Sequence, residues 1–339
     1  MILNEVWGVL FVFIIAGYLI LDGFDMGVGI LHLPLARTDV ERRTFLNSIG
    51  PVWDGNEVWL VLGGGVLFAV FPLVYASLFS GFYLAFMLVL LVMILRTVSI
   101  EFRSKEHSPR WRSFWDAVFA LASIGLALLL GVAFGNIVAG VPLNADGNIT
   151  ISLIDLLNPF ALLVGLTTVA MFALHGAIFL TLKTGGELKE RVVRATPALI
   201  VTFFVLNTLV VIAMVVLHQR ITERYTTQIW PVIFPAGALL ALVGVWLFLR
   251  RGQTLRAFVC SSAMIVLLLV SGAVGVFPNL LTSTTDSAYD LTIYNAASAE
   301  NTLVVCLIVA IIGIPFVLLY TAGVYWIFRG ETKVESEGY

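Results

Sequence analysis

The segment VWGVLFVFIIAGYLILDGFDMGVGIL, residues 6–31, decides the fold of this chain. It is a continuous apolar run, and a helix needs about 20 such residues to cross a bilayer. A lipid-facing β-strand would instead alternate apolar and polar residues over about ten positions. Because backbone amides in hydrocarbon must bond within the protein, a helix satisfies them locally. We therefore predict that residues 6–31 form a membrane-spanning helix.

The composition extends this interpretation to the whole chain. Of the 339 residues, 60% are hydrophobic and only 12% are charged, and the mean hydropathy is +1.02. Soluble proteins carry about 25% charged residues, so an ordinary soluble domain is excluded. The net charge of −2 leaves no basic excess to neutralise phosphates, which excludes nucleic-acid binding. The first residues also lack the basic region of a cleavable signal peptide, so the first helix is predicted to be retained.

Eight further apolar runs follow the first, and short loops connect most of them. We predict an all-α polytopic membrane protein with nine transmembrane helices, arranged as two four-helix bundles plus one helix in a single integral membrane domain, residues 1–339. Short loops favour antiparallel neighbours, and the two longer ones cover residues 141–158 and 278–301. The helices are expected at residues 6–31, 57–75, 78–97, 114–140, 159–182, 195–217, 230–249, 255–277 and 302–327.

The basic residues predict the orientation, because Lys and Arg accumulate in short loops on the cytoplasmic side. With the N-terminus outside and the C-terminus cytoplasmic, 17 of the 19 basic residues fall on the inner side. Only Arg220 and Arg224 fall outside. A wrong number of helices would disturb this alternation further along the chain, so the distribution favours both nine spans and this topology.

Five carboxyl groups approach the membrane from the predicted cytoplasmic side within the first three helices. They are Asp22, Asp25, Asp54, Glu57 and Glu101. An unpaired charge in hydrocarbon costs at least a few kcal/mol, so intramembrane acids mark proton or ion pathways. Carboxyls can carry protons, and burial brings their pKa toward the working range. A proton path is therefore one interpretation of this group.

Ordinary structural roles explain the same carboxyls one at a time. Asp54 could cap the second helix, where free amides and the helix dipole favour a carboxylate. Asp22 or Asp25 could pair with Arg96 inside the membrane. Glu101 precedes two basic residues and could pair with them at the interface. The sequence leaves these alternatives open.

Small and aromatic residues near the acids indicate close packing. Gly23 and Gly27 share one helix face, and Gly63–Gly65 form a short run, so both sites let helices approach closely. No phosphate loop is indicated, because the required Lys and Ser or Thr are missing. Trp53 and Trp59 flank Asp54 and either shield its carboxyl from water or simply pack.

The histidines and cysteines indicate no cofactor or metal site in this chain. A membrane haem with two histidine ligands needs both deep in facing helices. Only His175 lies well inside a predicted span, and His32 falls just beyond the first one. An interior hydrogen-bonded side chain is the expected role of His175. Cys260 and Cys306 lie in apolar runs and are expected to be buried thiols rather than a disulfide.

Several strings together resemble subunit II of the bacterial cytochrome bd-type quinol oxidases, and they run through the whole chain in order. WDGN at 53–56 and DGFDMGVG at 22–29 are the most specific. The others are ERRTFLNSIGPVWDGNEVWLVLGGGVLFAVFPLVYASLFSGFY (41–83), RTVSIEFRSK (96–105), WRSFWD (111–116), GVAFGNIVAGVP (131–142), GGELKERV (185–192), LTIYNAAS (291–298) and LLYTAGVYW (318–326).

The resemblance implies a haem-free, nine-helix subunit of the bacterial cytoplasmic membrane, paired with a haem-bearing subunit I that holds haem b and haem d groups. Such a complex oxidises quinol and reduces dioxygen to water with protons from the cytoplasm. The resemblance leaves room for a small single-helix subunit and for a quinone on the lipid-facing surface. It assigns Asp54 to a cytoplasmic proton channel, and less specifically Asp25 and Glu101. The chain departs at Glu57, where relatives often carry Gln, and at Glu101, where they often carry Asp.

Two other functions remain open from the sequence. An independent proton-coupled permease would share the many helices and the buried acids. Transporters often show Gly- or Pro-interrupted helices in two halves around a midplane site, a pattern that this chain lacks, since its acids gather at one face. A purely scaffolding subunit, with every inner acid paired, is the second alternative.

Overall fold

The computed structural model describes residues 1–332, and it is almost entirely helical. Lys333, one of the basic residues used to predict the topology, lies outside the described residues. The helices are α1 Ile2–Leu35, α2 Asp39–Ile49, α3 Trp53–Val70, α4 Pro72–Gly81, α5 Tyr83–Phe102, α6 Pro109–Ala139, α7 Leu153–Leu156, α8 Pro159–Lys183, α9 Gly186–Leu217, α10 Gln219–Thr227, α11 Ile233–Arg250, α12 Thr254–Val276 and α13 Glu300–Ile327. Two short strands, β1 Asn279–Leu281 and β2 Leu291–Thr292, pair antiparallel.

Within residues 1–332, eight helices are long and apolar enough to cross a membrane, or nine if α3 and α4 count as one broken span. Eight of the nine predicted spans each correspond mainly to one long helix, which for 230–249 is a 3₁₀ turn continued by α11. The predicted helix over 57–75 is different, because the chain forms two helices there. α3 begins earlier, at Trp53, and α4 turns away from it by 120°.

A proline causes this break. Pro72 is the first residue of α4, and the residue before a proline is sterically disfavoured in the α-helical region. Phe71 accordingly leaves helical geometry, with φ −126° and ψ 62°. The apolar run continues through the break, so hydropathy alone shows one segment where the backbone forms two.

Glycines bring α1 and α8 into direct backbone contact at the centre of the fold. A Cβ built on Gly27 would lie 2.7 Å from the Cα of Gly176, and one built on Gly176 would lie 2.6 Å from the Cα of Gly27. Both distances are much shorter than an ordinary contact between two carbon atoms, so only glycine fits at either position. Gly63 packs closely on Ile15, whereas a Cβ on Gly64 would meet none of residues 1–332 within 4 Å.

α8 lies centrally among the long helices, against α1, α6, α9 and α12. α5 packs on α6, α3 on α1 and α11 on α12, while α13 lies mainly against α1 and α3. The predicted division into two four-helix bundles stays a prediction. In α8, 67% of an 18-residue apolar stretch is buried within the protein, whereas in α13 the buried share is 6%. The core is therefore continuous, and α13 is peripheral.

One end of the bundle gathers the chain segments around residues 36–52, 101–112, 183–191 and 328–332, and we call it the basic end. α2 lies here and begins with a capping box, in which the Thr38 side chain and Glu41 satisfy each other's backbone amides. Arg191 of α9 donates to both Glu41 oxygens at 2.9 Å. The connection between α1 and α3 is thereby fastened to the second half of the chain.

The two longer loops meet at the opposite end. The amide of Val141 donates to Thr282 at 2.9 Å, and the amide of Thr284 returns a bond to Val141 at 3.0 Å. Ser298 also bonds through its amide to the carbonyl of Val70 at 2.8 Å. These loops therefore form a joint cover over the ends of α3 and α6.

The Glu41 contact predicts a pH-dependent contribution to stability. Burial alone raises the pKa of Glu41, but hydrogen bonds from Arg191 and from the amides of Arg37 and Thr38 outweigh it, so the pKa lies below its ordinary value. A carboxylate with a lowered pKa contributes fully to the free energy of unfolding when the pH is above its pKa in the unfolded chain. That contribution is lost as the pH falls through its pKa in the folded protein. Glu41→Gln should therefore lower the free energy of unfolding at pH 7 by about 1–2 kcal/mol.

Denaturant unfolding in detergent at a series of pH values measures this effect. The difference between wild type and Glu41→Gln should shrink below about pH 4.5, the ordinary pKa of the group. Glu190→Gln removes an exposed carboxylate from the same end and should change stability little. A difference that stays constant from pH 7 to pH 3 would contradict the assignment.

Candidate functional site

A buried ion pair between Asp22 of α1 and Arg96 of α5 forms the centre of the candidate site. Both residues have 0% exposure. Arg96 donates through Nη1 to Asp22 Oδ2 at 3.0 Å and through Nη2 to the other carboxylate oxygen. Two parallel bonds from a guanidinium give both strength and a fixed orientation. Of the two pairings that the sequence left open for Arg96, the structure contains the one with Asp22.

Glu57 of α3 lies on the other side of Arg96. Its Oε1 is 3.6 Å from Arg96 Nη1, and its side chain is 17% exposed. Asp54 precedes it by three residues, which places both carboxyls on one helix face, and Asp54 itself is exposed. The N-cap position of α3 is Val52, with no side-chain capping bond. Asp54 lies in the first turn, where its charge is favourable to the helix dipole.

Asp25 lies one turn of α1 beyond Asp22 and is fully buried. Its Oδ2 accepts a hydrogen bond from Asn56 Nδ2 at 2.7 Å, whereas Oδ1 has no hydrogen-bond partner among residues 1–332. The Asn56 amide also donates to the carbonyl of Leu21 at 3.2 Å, and its oxygen accepts from Tyr325 at 2.9 Å. Asn56 is therefore held from three sides and fixes the Asp25 carboxyl.

The two tryptophans pack into different parts of the core. Trp53 is 8% exposed and belongs to the cluster near the basic end, while Trp59 is 3% exposed and belongs to the larger central cluster. Trp59 fits against α1 only because Gly17 has no side chain, since a Cβ there would lie 2.6 Å from Cζ3 of the indole ring. Their contacts are those of packing residues, and shielding of the acids stays a prediction.

Glu101 is separate from this group. It lies near the end of α5, five residues beyond Arg96, or about 7.5 Å along a helix, and it is half-buried. The structure thus brings Asp22, Asp25 and Glu57 around Arg96 and Asn56. Asp54 lies at the exposed edge of this group and Glu101 lies nearer the basic end.

A second ionic cluster, which sequence reasoning missed, surrounds Asp116 of α6. Asp116 has 1% exposure and accepts from His32 Nε2 at 2.6 Å, from Arg42 at 2.8 Å and from Arg103 Nε at 2.5 Å. Arg103 also reaches Asp39 at 2.8 Å. The available signal was an acid followed directly by an apolar run in WRSFWDAVFALA. Its partners come from three other segments, which no local pattern could identify.

The prediction for His175 is confirmed, and His32 lies in the last turn of α1, near the basic end. His175 is buried between Ser261, 2.8 Å from its Nδ1, and the carbonyl of Ile20, 3.1 Å from its Nε2. His32 has 0% exposure because α1 continues to Leu35, past the predicted end. Both histidines therefore have protein partners. No group of three His, Cys, Asp or Glu residues able to hold a metal occurs within residues 1–332.

Comparison with known proteins gives a consistent result. A family model for cytochrome bd terminal oxidase subunit II matches residues 3–328. Cytochrome bd-I ubiquinol oxidase subunit 2 of Escherichia coli K12 is 37% identical over 367 aligned positions, covering 99% of this chain and 96% of that protein. Cytochrome bd ubiquinol oxidase subunit 2 of Bacillus subtilis 168 is 34% identical, covering 96% of each.

The fold also matches a solved structure. A chain of the bd oxidase from Geobacillus thermodenitrificans superimposes with a TM-score of 0.79, covering 97% of this chain and 99% of that one. At 16% identity, this likeness concerns the fold.

The Tyr325 contact predicts that α13 is anchored through the candidate site. Tyr325→Phe leaves the buried Asn56 oxygen without its donor, which should cost about 1–3 kcal/mol of stability. Thermal unfolding of the purified protein measures this loss. Tyr320→Phe is the matched control, because Tyr320 is on the same helix and 68% exposed. Equal effects of the two substitutions would contradict an anchoring role.

The Asp22–Arg96 pair predicts strong coupling between the two residues. Asp22→Asn alone leaves a buried guanidinium without its main partner and should destabilise the fold by about 3–5 kcal/mol. Asp22→Asn combined with Arg96→Gln removes both charges and should cost much less than the sum of the single changes. The test is a double-mutant cycle, in which the unfolding free energies of wild type, Asp22→Asn, Arg96→Gln and the double variant are measured in the same detergent. Losses that simply add would rule out a direct pair.

Proposed function

The chain belongs to the cytochrome bd terminal oxidase subunit II family, and on that premise we propose that it supplies protons from the cytoplasm while scaffolding a haem-bearing partner. Its relatives are named as subunits of cytochrome bd ubiquinol oxidase. The chain is accordingly a multi-pass membrane subunit of a respiratory oxidoreductase. The route of protons, the absence of haem and the partner's identity belong to the proposal.

The overall reaction sets what such a subunit has to provide. Two quinols deliver four electrons and release four protons on one side, and dioxygen takes up four electrons and four protons to form two waters. Protons taken from the cytoplasm must cross an apolar layer, and carboxyls inside a membrane protein provide stepping positions for them. This chain offers such carboxyls along one side of its first helices.

The proposed path begins at Asp54. Its carboxyl is exposed at the start of α3, while Glu57 lies about one turn further in, on the same helix face, with a 17% exposed side chain. Glu57 in turn lies 3.6 Å from Arg96, which is bound to Asp22. Arg96 binds both carboxylate oxygens of Asp22, so Asp22 offers no free oxygen for a proton and one buried carboxyl of the group remains.

That remaining carboxyl is Asp25, whose arrangement is the observation that carries the proposal. The residue is completely buried, one oxygen is fixed by Asn56 at 2.7 Å, and the other has no partner among residues 1–332. Asp22 and Asp116, by contrast, have cationic partners on both of their oxygens. An oxygen left free can bind a proton and release it, and the amide keeps it in one position.

The haem-free role is supported by the engaged histidines. His175 is held on both ring nitrogens, so it could become an axial ligand only by breaking a buried hydrogen bond. His32 is bound through Nε2 to Asp116, next to the arginines of that cluster. We place the haem b and haem d groups in the subunit I partner. A bound quinone, a third small subunit and the cytoplasmic position of the basic end are parts of the same proposal, the last supported by the distribution of basic residues.

Quinol-driven oxygen consumption by the purified complex tests the proton path. Asp54→Asn and Asp25→Asn should each lower turnover about a hundredfold or more, because a positioned group that transfers a proton typically contributes that much, while haem absorbance stays unchanged. Glu57→Gln should reduce turnover less, since relatives often carry Gln there. Glu101→Gln tests the peripheral position and should have the smallest effect.

Asp146→Asn serves as the control, because Asp146 is an exposed acid of the loop at the opposite end. Full turnover of Asp25→Asn and Asp54→Asn in an assembled complex would overturn the relay. Loss of haem in these variants would instead show that the carboxyls are structural. A colourless protein that purifies without a large partner would contradict the oxidase role itself.

A further inference from the structure

An open groove lies at the basic end, between the end of α5 and the start of α6. Its volume is about 790 Å³, and its lining includes Phe102, Lys105, Glu106, Arg110, Trp111 and Phe114. Three consecutive pieces of chain contribute to it: the last turn of α5, the connecting loop and the first turns of α6. The groove is separate from the proton path and from the Asp116 cluster.

The cations of this region divide into two groups. Arg103 and Arg112 are both bound to Asp39 at 2.8 Å, so each already has a carboxylate partner within the protein. Lys105 and Arg110 are exposed and make no ion pair with any of residues 1–332. The groove therefore contains the cations that the protein has not paired itself.

One carboxylate also lines the groove. Glu106 is exposed, and its backbone carbonyl accepts a bond from Arg112 at 3.2 Å, which fixes the loop. Two cations and one carboxylate leave a net positive charge of one. That charge is complementary to a single phosphodiester anion rather than to a polyanion.

The walls of the groove are apolar and exposed. Phe102 is 46% exposed and Phe114 is 58% exposed. Trp111 donates from its indole nitrogen to the carbonyl of Phe102 at 2.8 Å, which joins the two walls. The apolar surface continues into the membrane along both helices, through Leu95 at 38% and Leu121 at 67% exposure.

We propose that this groove binds one anionic phospholipid of the phosphatidylglycerol class. Lys105 and Arg110 hold the phosphodiester, and the acyl chains follow the exposed apolar faces of α5 and α6. A tryptophan and flanking cations at the end of membrane helices are typical of the headgroup region, and basic pockets between such helices bind anionic headgroups. A free phosphate would not use the aromatic walls. This site is independent of the proposed proton path.

Lipid retention by the intact complex tests the proposal. The complex is delipidated, reconstituted into phosphatidylcholine nanodiscs and titrated with phosphatidylglycerol, and native mass spectrometry counts the lipid bound. Lys105→Gln combined with Arg110→Gln should weaken phosphatidylglycerol binding about tenfold or more, as expected for two cations near a membrane surface. The double change Lys105→Arg with Arg110→Lys should retain it.

Arg250→Gln combined with Arg251→Gln is the matched control, since it removes two exposed arginines from a different loop. Equal losses in both double variants would show a general surface-charge effect and overturn the site. Phe114→Ala should weaken lipid binding as well. The proposal fails if inorganic phosphate alone displaces the lipid, if phosphatidylethanolamine binds equally well, or if the groove retains no lipid because a partner subunit fills it. Haem absorbance of each variant confirms that the complex has assembled.

Discussion

The ion pair between Asp22 and Arg96 is the interaction on which the arrangement of the first half of the chain depends. α5 packs along α6, and this pair is its polar link to the central helix α1. Both side chains are completely buried, and separating them would leave an unpaired charge in a medium that cannot solvate it. The pair therefore fixes the position of α5 relative to α1. It also places a permanent cation beside the carboxyls on which the proposed function rests.

The same requirement organises the basic end. Asp116 forms ion pairs with one histidine and two arginines, and Asp39 forms ion pairs with two arginines. Glu41 binds Arg191 and so connects α2 to α9. Each of these carboxylates joins parts of the chain that are distant in sequence. The cations that remain exposed after this pairing are then free to meet groups outside the protein. Internal neutralisation and external recognition are thus two consequences of one charge distribution.

Asp25 differs from the other buried acids in how it is held. Asp22 and Asp116 have cationic partners for their oxygens, whereas Asp25 has a neutral amide on one oxygen only. Asn56 is itself fixed by Tyr325 of the peripheral helix α13. The last helix of the chain therefore contributes to the position of a carboxyl in the first. This connection makes α13 part of the site although it is little buried within the chain.

Much of the fold could be predicted from local pattern. Long apolar runs gave the helices, and the glycines of DGFDMGVG gave a close helix contact, because both signals are carried by neighbouring residues. Pro72 broke a continuous run that hydropathy treats as one segment. The first helix continues four residues beyond its predicted end at 31 and so includes His32. Asp116 was missed because its partners lie 13 to 84 residues away.

The sequence by itself determined that this is a helical membrane protein. It also determined that a few acidic residues lie within the apolar segments and that the basic residues lie mostly in alternate loops. These properties follow from composition and local periodicity, which the bilayer imposes on each segment separately. Only the tertiary structure decided which acid pairs with Arg96, which one keeps a free oxygen, and which cations remain unpaired. Those outcomes depend on distances between helices, and such distances are set by packing across the whole chain.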